Sequence, residues 1–525
     1  MLKNILRKIC EILLRPFKAD FFFLFILTIL VSAADIVAWF FYGDPIFGIY
    51  MGVHGYIMAY VIVLLGTFLS QTRYKKIYEY IILALAYINF IIDVSIHMSC
   101  KIGFTNDMVA IIMGTNLSEG KEFIGTYFSL ELLCVIIIST AVLYLIKRYK
   151  VYVEHFGSRL SVCFLLLCLF GGIIVFGRRS ENWGGVFLCK VTSCLSYESP
   201  PDLKAYFSDP EVVINDGETP DNLLIIIGES FVRSHSSIYG YAKNTNPYLS
   251  KMIEDSLLVA YDNVTSSSTS TIKAFQSMMS TYGSSLNTER EWYECTTLLE
   301  VLSKAGYNTL WISNQSPTGV HDNVVTKYAE LCDSVIWVGS KYKGIRKSDF
   351  DEEIIKSVES LKLSDKFNSY KKNVILIHLM GSHYIFNERY PKEFEQFHPN
   401  EYPALNKEQA EIISSYDNSI LYNDFVVSSI LHLFKDTETL AFYFPDHGLD
   451  LYDTYSDYFG HAIANMPNSV NVASQIPFMM YCSQALRYNC SEAIEEANGL
   501  LSDSFNTADL MQLVMRVLQI HMEEE

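Results

Sequence analysis

Residues 440–448 read LAFYFPDHG. An unbroken apolar run leads through one proline into a carboxylate, an imidazole and a glycine. A run apolar at every position suits a strand covered on both faces, whereas a strand with one wet face alternates. Two other stretches have the same form, NLLIIIGES at 222–230 and NVILIHLMGSH at 373–383. Each ends in a residue that binds metals or moves protons: Glu229, His383, and Asp446 with His447. His461 follows shortly after the third. Amphipathic helical patterns lie between the runs, as in NPYLSKMIEDS (246–256), TTLLEVLSKAG (296–306) and IIKSVESLKL (354–363). The alternation predicts an α/β layered domain with helices on both faces of the sheet. Ligands of such open sheets bind beyond the carboxyl ends of the strands, where these four residues fall.

The first third of the chain has another character. Five apolar stretches, Phe21–Phe41, Ile49–Leu69, Ile81–Ile96, Tyr127–Ile146 and Leu160–Phe176, each approach the roughly 20 residues that a spanning helix needs. Lys3, Arg7, Lys8, Arg15 and Lys18 precede the first, in the manner of a signal peptide, but four further spans follow it, so it reads as an uncleaved anchor. Arg73, Lys75 and Lys76 follow the second span, and Lys147, Arg148 and Lys150 the fourth. The loop after the first, YGDPIFG, has neither Lys nor Arg. The positive-inside rule then puts the N-terminus and the two basic loops in the cytoplasm and everything after the fifth span outside. Arg178 and Arg179 run against that assignment. The expected organisation is a transmembrane domain over 1–177, a connector over 178–215 and an outer α/β domain over 216–525. A net charge of −18 argues against nucleic-acid binding, which depends on Lys and Arg against phosphate.

Residues 263–280, NVTSSSTSTIKAFQSMMS, run a hydroxyl-rich loop into a helical pattern. Ser and Thr cap helix starts. A helix start also attracts phosphate through its unpaired N–H groups. A hydroxyl there becomes a nucleophile toward phosphorus if a metal acidifies it. The loop alone does not choose among Thr265, Thr269 and Thr271.

Taken together and in order, IIIGES…YGYAKNTNPYL, NVTSSSTSTIKAF, HLMGSHYIFNERYPKEF, SYDNSILYND and YFPDHGLDLYDT…FGHA closely resemble the phosphoethanolamine transferases of the alkaline phosphatase/sulfatase superfamily. These include enzymes that modify lipid A and confer polymyxin resistance. The resemblance covers nearly the whole chain. It implies a five-helix transmembrane domain followed by a periplasmic alkaline-phosphatase-like α/β/α domain, in a multi-pass protein of the bacterial inner membrane. It implies a zinc ion held by Glu229, Asp446, His447 and the nucleophile Thr271, the second Thr of TST. His383 and His461 match the two substrate-side histidines of the family, which hold phosphoryl oxygens or protonate the leaving group. The reaction implied has two halves: Thr271 takes phosphoethanolamine from phosphatidylethanolamine, and an acceptor, lipid A or another lipopolysaccharide glycan, then takes it from Thr271.

This chain departs from the better-known lipid A enzymes in three places. Their DHGES is here DHGLD, with Leu449 in place of a carboxylate. Their Lys after the W…N strand is missing from LWISNQSPTGVHDN (310–323), so Asn314 is expected to contact substrate, with Gln315 and His321 as further candidates. Their nucleophile loop carries a disulfide where Ser267 and Ser277 stand here. All three bear on the acceptor. Six cysteines fall beyond the spans, and short spacing makes Cys189–Cys194 and Cys482–Cys490 the candidate bridges, Cys295 and Cys332 being equally compatible with buried thiols. His378 reads as a core residue, and His235 as a solvated loop residue. A sulfatase proper would need Cys or Ser in a C/S-x-P-x-R pattern, and residues 263–280 have none. The remaining alternatives are a phosphoglycerol transferase of the same superfamily and a catalytically inactive membrane scaffold or sensor.

Overall fold

The computed structural model describes residues 2–42, 45–69, 72–100, 130–149 and 201–522, the last apart from 216, 284–289, 316, 318–323, 339–349, 365–366, 368–371, 455, 457 and 463–466. The fifth expected span, Cys189, Cys194 and His321 lie outside the described residues. The chain divides into two compact units, Met1–Tyr197 and Glu198–Glu525.

In the first unit, helices run over Phe21–Tyr42, Pro45–Gly66, Thr72–Cys100 and Leu130–Tyr149. Apolar length makes them: no charged residue occurs between Phe21 and Ala34, and nothing in those runs breaks a helix. Leu24, Leu27 and Val31 of the first pack with Ala59 and Val63 of the second and Ala86 of the third. The third helix starts a full turn or more before the apolar run, so that Lys75 Nζ reaches Asp20 Oδ1 at 2.6 Å. Asp93 is buried and accepts from Asn89 Nδ2 at 2.6 Å, a pair set by i,i+4 spacing on one helix. Among the described residues, Arg73–Met98 is the one helix long and apolar enough to cross a bilayer, and Phe21–Ala34, Gly52–Gly66 and Leu130–Leu145 are shorter apolar helices.

The second unit is built on a seven-stranded sheet. In chain order its strands are β1 (Asn222–Gly228), β2 (Leu258–Tyr261), β3 (Asn308–Ser313), β4 (Ser334–Trp337), β5 (Asn373–His378), β6 (Thr439–Pro445) and β7 (Phe478–Cys482), and their spatial order is β2-β7-β6-β1-β5-β3-β4. Strands β6, β1, β5, β3 and β4 are parallel, and β7 runs antiparallel to both β6 and β2. The three unbroken apolar runs are the three central neighbours.

Their residues divide between two cores. Leu223, Ile225 and Ile227 of β1 join Leu440, Phe442 and Phe444 of β6 on one face. Leu224 and Ile226 join Ala441 and Tyr443 on the other. Burying each such apolar side chain contributes about 1.5–3 kcal/mol, which explains why the runs are almost wholly apolar. Register does the rest. Ile227 pairs with His378 and Gly228 with Pro445, so all three strands end level. Leu379 N–H then donates to Ile227 O at 3.0 Å and Asp446 N–H to Gly228 O at 3.1 Å, which carries the register one residue past the strands.

Candidate active site

Glu229 follows β1, and Asp446 and His447 follow β6, so level strand ends bring the three together. One ligating atom from each lies within 4.8 Å of the others, and all three residues are buried. His447 Nε2 stands 3.6 Å from Glu229 Oε1 and 3.5 Å from Asp446 Oδ2.

The surrounding hydrogen bonds set their orientation. His447 Nδ1–H donates to Gly448 O at 2.8 Å, which leaves the Nε2 lone pair facing the two carboxylates. Metal-binding histidines are held in their tautomer by this kind of contact. Asp446 Oδ1 accepts from His447 N–H at 2.7 Å and Ser230 N–H at 3.3 Å, while its Oδ2 is buried without a hydrogen-bond partner. Burial pushes the Asp446 carboxyl up to about 7, against the opposing Thr271 hydroxyl and backbone N–H groups. A buried carboxylate with an unpaired oxygen is costly unless a cation joins it. Two carboxylates and one imidazole nitrogen, all oriented inward, are a donor set that suits zinc.

The approach to Glu229 is tight. Ser230 has φ +57°, a left-handed conformation that a non-glycine residue adopts only when its surroundings impose it. Tyr416 OH imposes it by donating to Ser230 O at 2.7 Å and accepting from Val232 N–H at 2.9 Å. Ser230 Oγ donates back to Glu229 Oε1 at 2.7 Å. From the β5 side, Gly381 has φ +51°, and a Cβ there would sit 2.7 Å from Glu229 N.

Thr271 opens the helix α1, Thr271–Met278. Its Oγ1 lies 3.5 Å from Glu229 Oε2 and 3.4 Å from His447 Nε2. The other two candidate threonines do not reach these groups through a hydrogen bond of their hydroxyls. Thr265 Oγ1 accepts from Asn506 Nδ2 at 3.0 Å, and Thr269 offers its carbonyl to His461 Nδ1 at 3.1 Å. That contact turns the His461 ring toward His447, with ring centres 4.8 Å apart. His383 follows β5 with a buried Nδ1 that has no partner, and burial pushes its pKa down to about 4, so the ring is neutral at pH 7.

Several expectations need correction. Asn314, expected to contact substrate, has its Nδ2 on a neighbouring carboxylate. It is buried and donates to Asp351 Oδ1 at 2.8 Å. Asp351 also accepts from Met380 N–H at 2.9 Å and Gly381 N–H at 2.8 Å, so the pair shapes the loop that presses on Glu229. The neighbouring Gln315 is the amide that reaches the centre, donating to Glu229 Oε2 at 3.1 Å and Leu379 O at 3.2 Å. Nothing in the sequence announced Asp351, which lies far along the chain and outside any motif. Cys482 and Cys490 are free thiols rather than a bridge. Both are buried in the same apolar core, with a short helix, Gln484–Asn489, between them. Their close spacing reflects packing, and burial pushes both thiols up, to about 12 and about 11. Cys295 and Cys332 are free as well. His235 is not simply solvated: its Nδ1 is 2.7 Å from Asp417 Oδ1, and Tyr241 and Tyr402 hydroxyls donate to Asp417 Oδ2 at 2.8 and 2.6 Å.

His378 is buried edge-on to Phe275, 5.0 Å between ring centres. Leu449, where the resembling enzymes carry an acid, is buried in apolar surroundings. The adjacent Asp450 accepts from Asp453 N–H, Thr454 N–H and Ser469 OH, and so offers no carboxylate to a ligand.

Known proteins are similar to this chain in sequence and fold. The phosphoethanolamine transferase EptC of Escherichia coli is 28% identical over 422 residues, which cover 73% of this chain and 70% of the relative. The zinc complex of the periplasmic domain of E. coli EptC matches in structure with a TM-score of 0.52 at 25% identity, over 62% of this chain and 87% of that domain. Full-length lipooligosaccharide phosphoethanolamine transferase A of Neisseria meningitidis, an integral membrane protein, shares the fold over 95% of both chains, with a TM-score of 0.66 at 19% identity. A sequence model of the sulfatase family matches residues 221–517, more than half of the chain. With the level strand ends, the inward-facing donor set and that match, the chain belongs to the sulfatase family.

Proposed function

We propose that this chain is a membrane-bound phosphoethanolamine transferase that uses Thr271 as its nucleophile and carries phosphoethanolamine from phosphatidylethanolamine to lipid A or another lipopolysaccharide glycan. The observation that carries the reading is the position of Thr271 Oγ1, 3.5 Å from Glu229 Oε2 and 3.4 Å from His447 Nε2, at the start of a helix. The likeness to EptC over most of both chains supports the choice of transferred group. The absence of a C/S-x-P-x-R pattern at the nucleophile loop favours phosphoryl transfer over sulfate-ester hydrolysis within the family.

Glu229, Asp446, His447 and Thr271 would hold a zinc ion, which when bound acidifies the threonine hydroxyl and stabilises charge on the phosphoryl group. Glu229 and Asp446 fix the direction of approach, because their outer oxygens are anchored by Ser230, Gln315 and backbone N–H groups. Thr271 Oγ1 forms a bond to phosphorus as the bond from phosphorus to the glycerol oxygen breaks. The proton that Thr271 Oγ1 gives up balances the one that the departing diacylglycerol oxygen takes, and His383 and His461 match the family's substrate-side histidines for that step. In the second half an acceptor oxygen attacks phosphorus, the bond to Thr271 Oγ1 breaks, and the threonine is regenerated. Neutral His383, and His461 with its Nδ1–H held on Thr269 O, are suited to hydrogen-bonding phosphoryl oxygens. Five spans with the catalytic unit outside would set that unit beside both lipid substrates. Expression of the chain with lipid A mass spectrometry tests the acceptor: a phosphoethanolamine increment that vanishes in Thr271→Ala supports it, and an unmodified lipid A points to another glycan.

A further inference from the structure

The loop that delivers Thr271 has little to hold it from within. Ser270, the residue before α1, makes no side-chain cap. Ser266 Oγ turns back to Ser268 O and Asp446 O, and Ser268 and Ser270 hydroxyls face one another at 3.5 Å. Ser266 N–H donates to Ser474 O at 2.8 Å, and a second set of anchors comes from the residues near 505. Phe505 and Asn506 pair in parallel with Val264 and Thr265. Phe505 N–H donates to Asn263 O at 3.0 Å. Asn506 Nδ2 donates to Thr265 Oγ1 at 3.0 Å, while its own Oδ1 is fixed by Ala508 N–H at 3.0 Å. Beyond the paired residues, Ser267 N–H donates to Thr507 Oγ1 at 2.9 Å, and Thr507 is fully buried. The partner of that last bond is 240 residues away in sequence.

We propose that Phe505–Thr507 is a positioning element for the nucleophile loop, and that the Thr507 hydroxyl is its decisive contact. The proposal rests on the reading of Thr271 as the nucleophile. Thr271 lies four residues beyond Ser267. Between them Thr269 O accepts from His461 Nδ1–H, and the Ser268 and Ser270 N–H groups bond hydroxyls of the loop itself, so the Ser267 N–H bond is the last hold on the loop from the 505–507 segment. Removing the acceptor leaves that N–H unpaired and lets the loop relax. Thr271 Oγ1 stands at 3.4–3.5 Å from two of the groups around it, a geometry that a small displacement breaks. Misplacing a reacting atom by about 1 Å is enough to cost on the order of 100-fold in rate. Thr507 bonds the loop at Ser267 and not Glu229, Asp446 or His447, so its expected effect is on placement.

The test uses the full chain in detergent micelles, zinc-loaded, mixed with phosphatidylethanolamine and quenched at short times, with the phosphoethanolamine adduct on the protein counted by intact mass. Thr507→Val keeps the shape and removes the acceptor; Thr507→Ser keeps the acceptor. Thr507→Val is expected to slow adduct formation by about tenfold or more, with the zinc content and the half-saturating lipid concentration unchanged. Thr507→Ser is expected to behave as wild type. A wild-type rate in Thr507→Val at equal zinc content overturns the proposal, as does a slowing that Ser shares with Val. If Thr507→Val does not fold, Thr265→Val, which keeps the shape and removes the acceptor of Asn506 Nδ2, takes its place with the same expected slowing. Thr271→Ala runs beside them. An adduct that persists in it overturns the nucleophile assignment itself, whereas its loss there beside a normal Thr507→Val overturns the positioning role alone.

Discussion

Asp446 carries the largest electrostatic cost in the site. An aspartate in an unfolded chain titrates near about 3.9. Burial raises the folded value to about 7. Between these values the unfolded chain is ionised while the metal-free folded chain keeps its proton. The metal-free fold therefore loses stability as pH rises through that window and loses nothing below it. A bound cation removes the penalty and competes with the proton. The rise in melting temperature on adding zinc to chelator-stripped protein is accordingly expected to be larger at pH 8 than at pH 5, and an equal rise at both would contradict the assignment. Asp446→Asn keeps the shape but removes the charge, and is expected to weaken zinc binding by about 10-fold or more in chelator competition. Glu229, Asp446 and His447 were legible in the sequence because each directly follows an unbroken apolar run. The split between Asn314 and Gln315 was not. Asp351 takes the Asn314 amide while Gln315 bonds Glu229, and these partners meet only in the folded state.

At the scale of elements, the close approach of the 380–383 loop to Glu229 is the tightest packing in the site. Gly381→Ala would strain a left-handed residue and push Cβ against Glu229 N. The strain alone costs about 1–3 kcal/mol, so reduced stability and reduced zinc affinity are expected together. Thermal unfolding and zinc titration of the same variant check this; a loss of stability with full affinity would mean that the loop does not support Glu229. The central strands could be predicted because both faces are buried. β7 was harder: Phe478–Cys482 is short, runs antiparallel and has no site residue to mark it. The cysteine pairing failed for a related reason. Spacing in sequence says nothing of the helix that lies between Cys482 and Cys490. Alkylation of denatured, unreduced protein should label both, and their protection from reagent would restore the bridge.

At the scale of the whole molecule, the two units differ in what was readable. Loop charges and apolar lengths predict a catalytic unit outside the cytoplasmic membrane, reached after five crossings. In intact spheroplasts a C-terminal tag is then expected to be open to antibody, while Lys75 and Lys76 react with an impermeant amine reagent only after permeabilisation. Tag and lysines accessible on the same side would contradict an odd number of spans. The acceptor was the least legible feature, since Leu449 and the missing lysine change the residues that would meet it and leave the centre itself intact. The chemistry of the site converges on one covalent step. Incubating the purified full-length protein with phosphatidylethanolamine and measuring its intact mass, wild type beside Thr271→Ala, tests that step directly. The account predicts a phosphoethanolamine increment on the wild type alone, mapped by peptide sequencing to Thr271. An increment of glycerol phosphate from phosphatidylglycerol, or a zinc-loaded protein that gains nothing from either lipid, would contradict it.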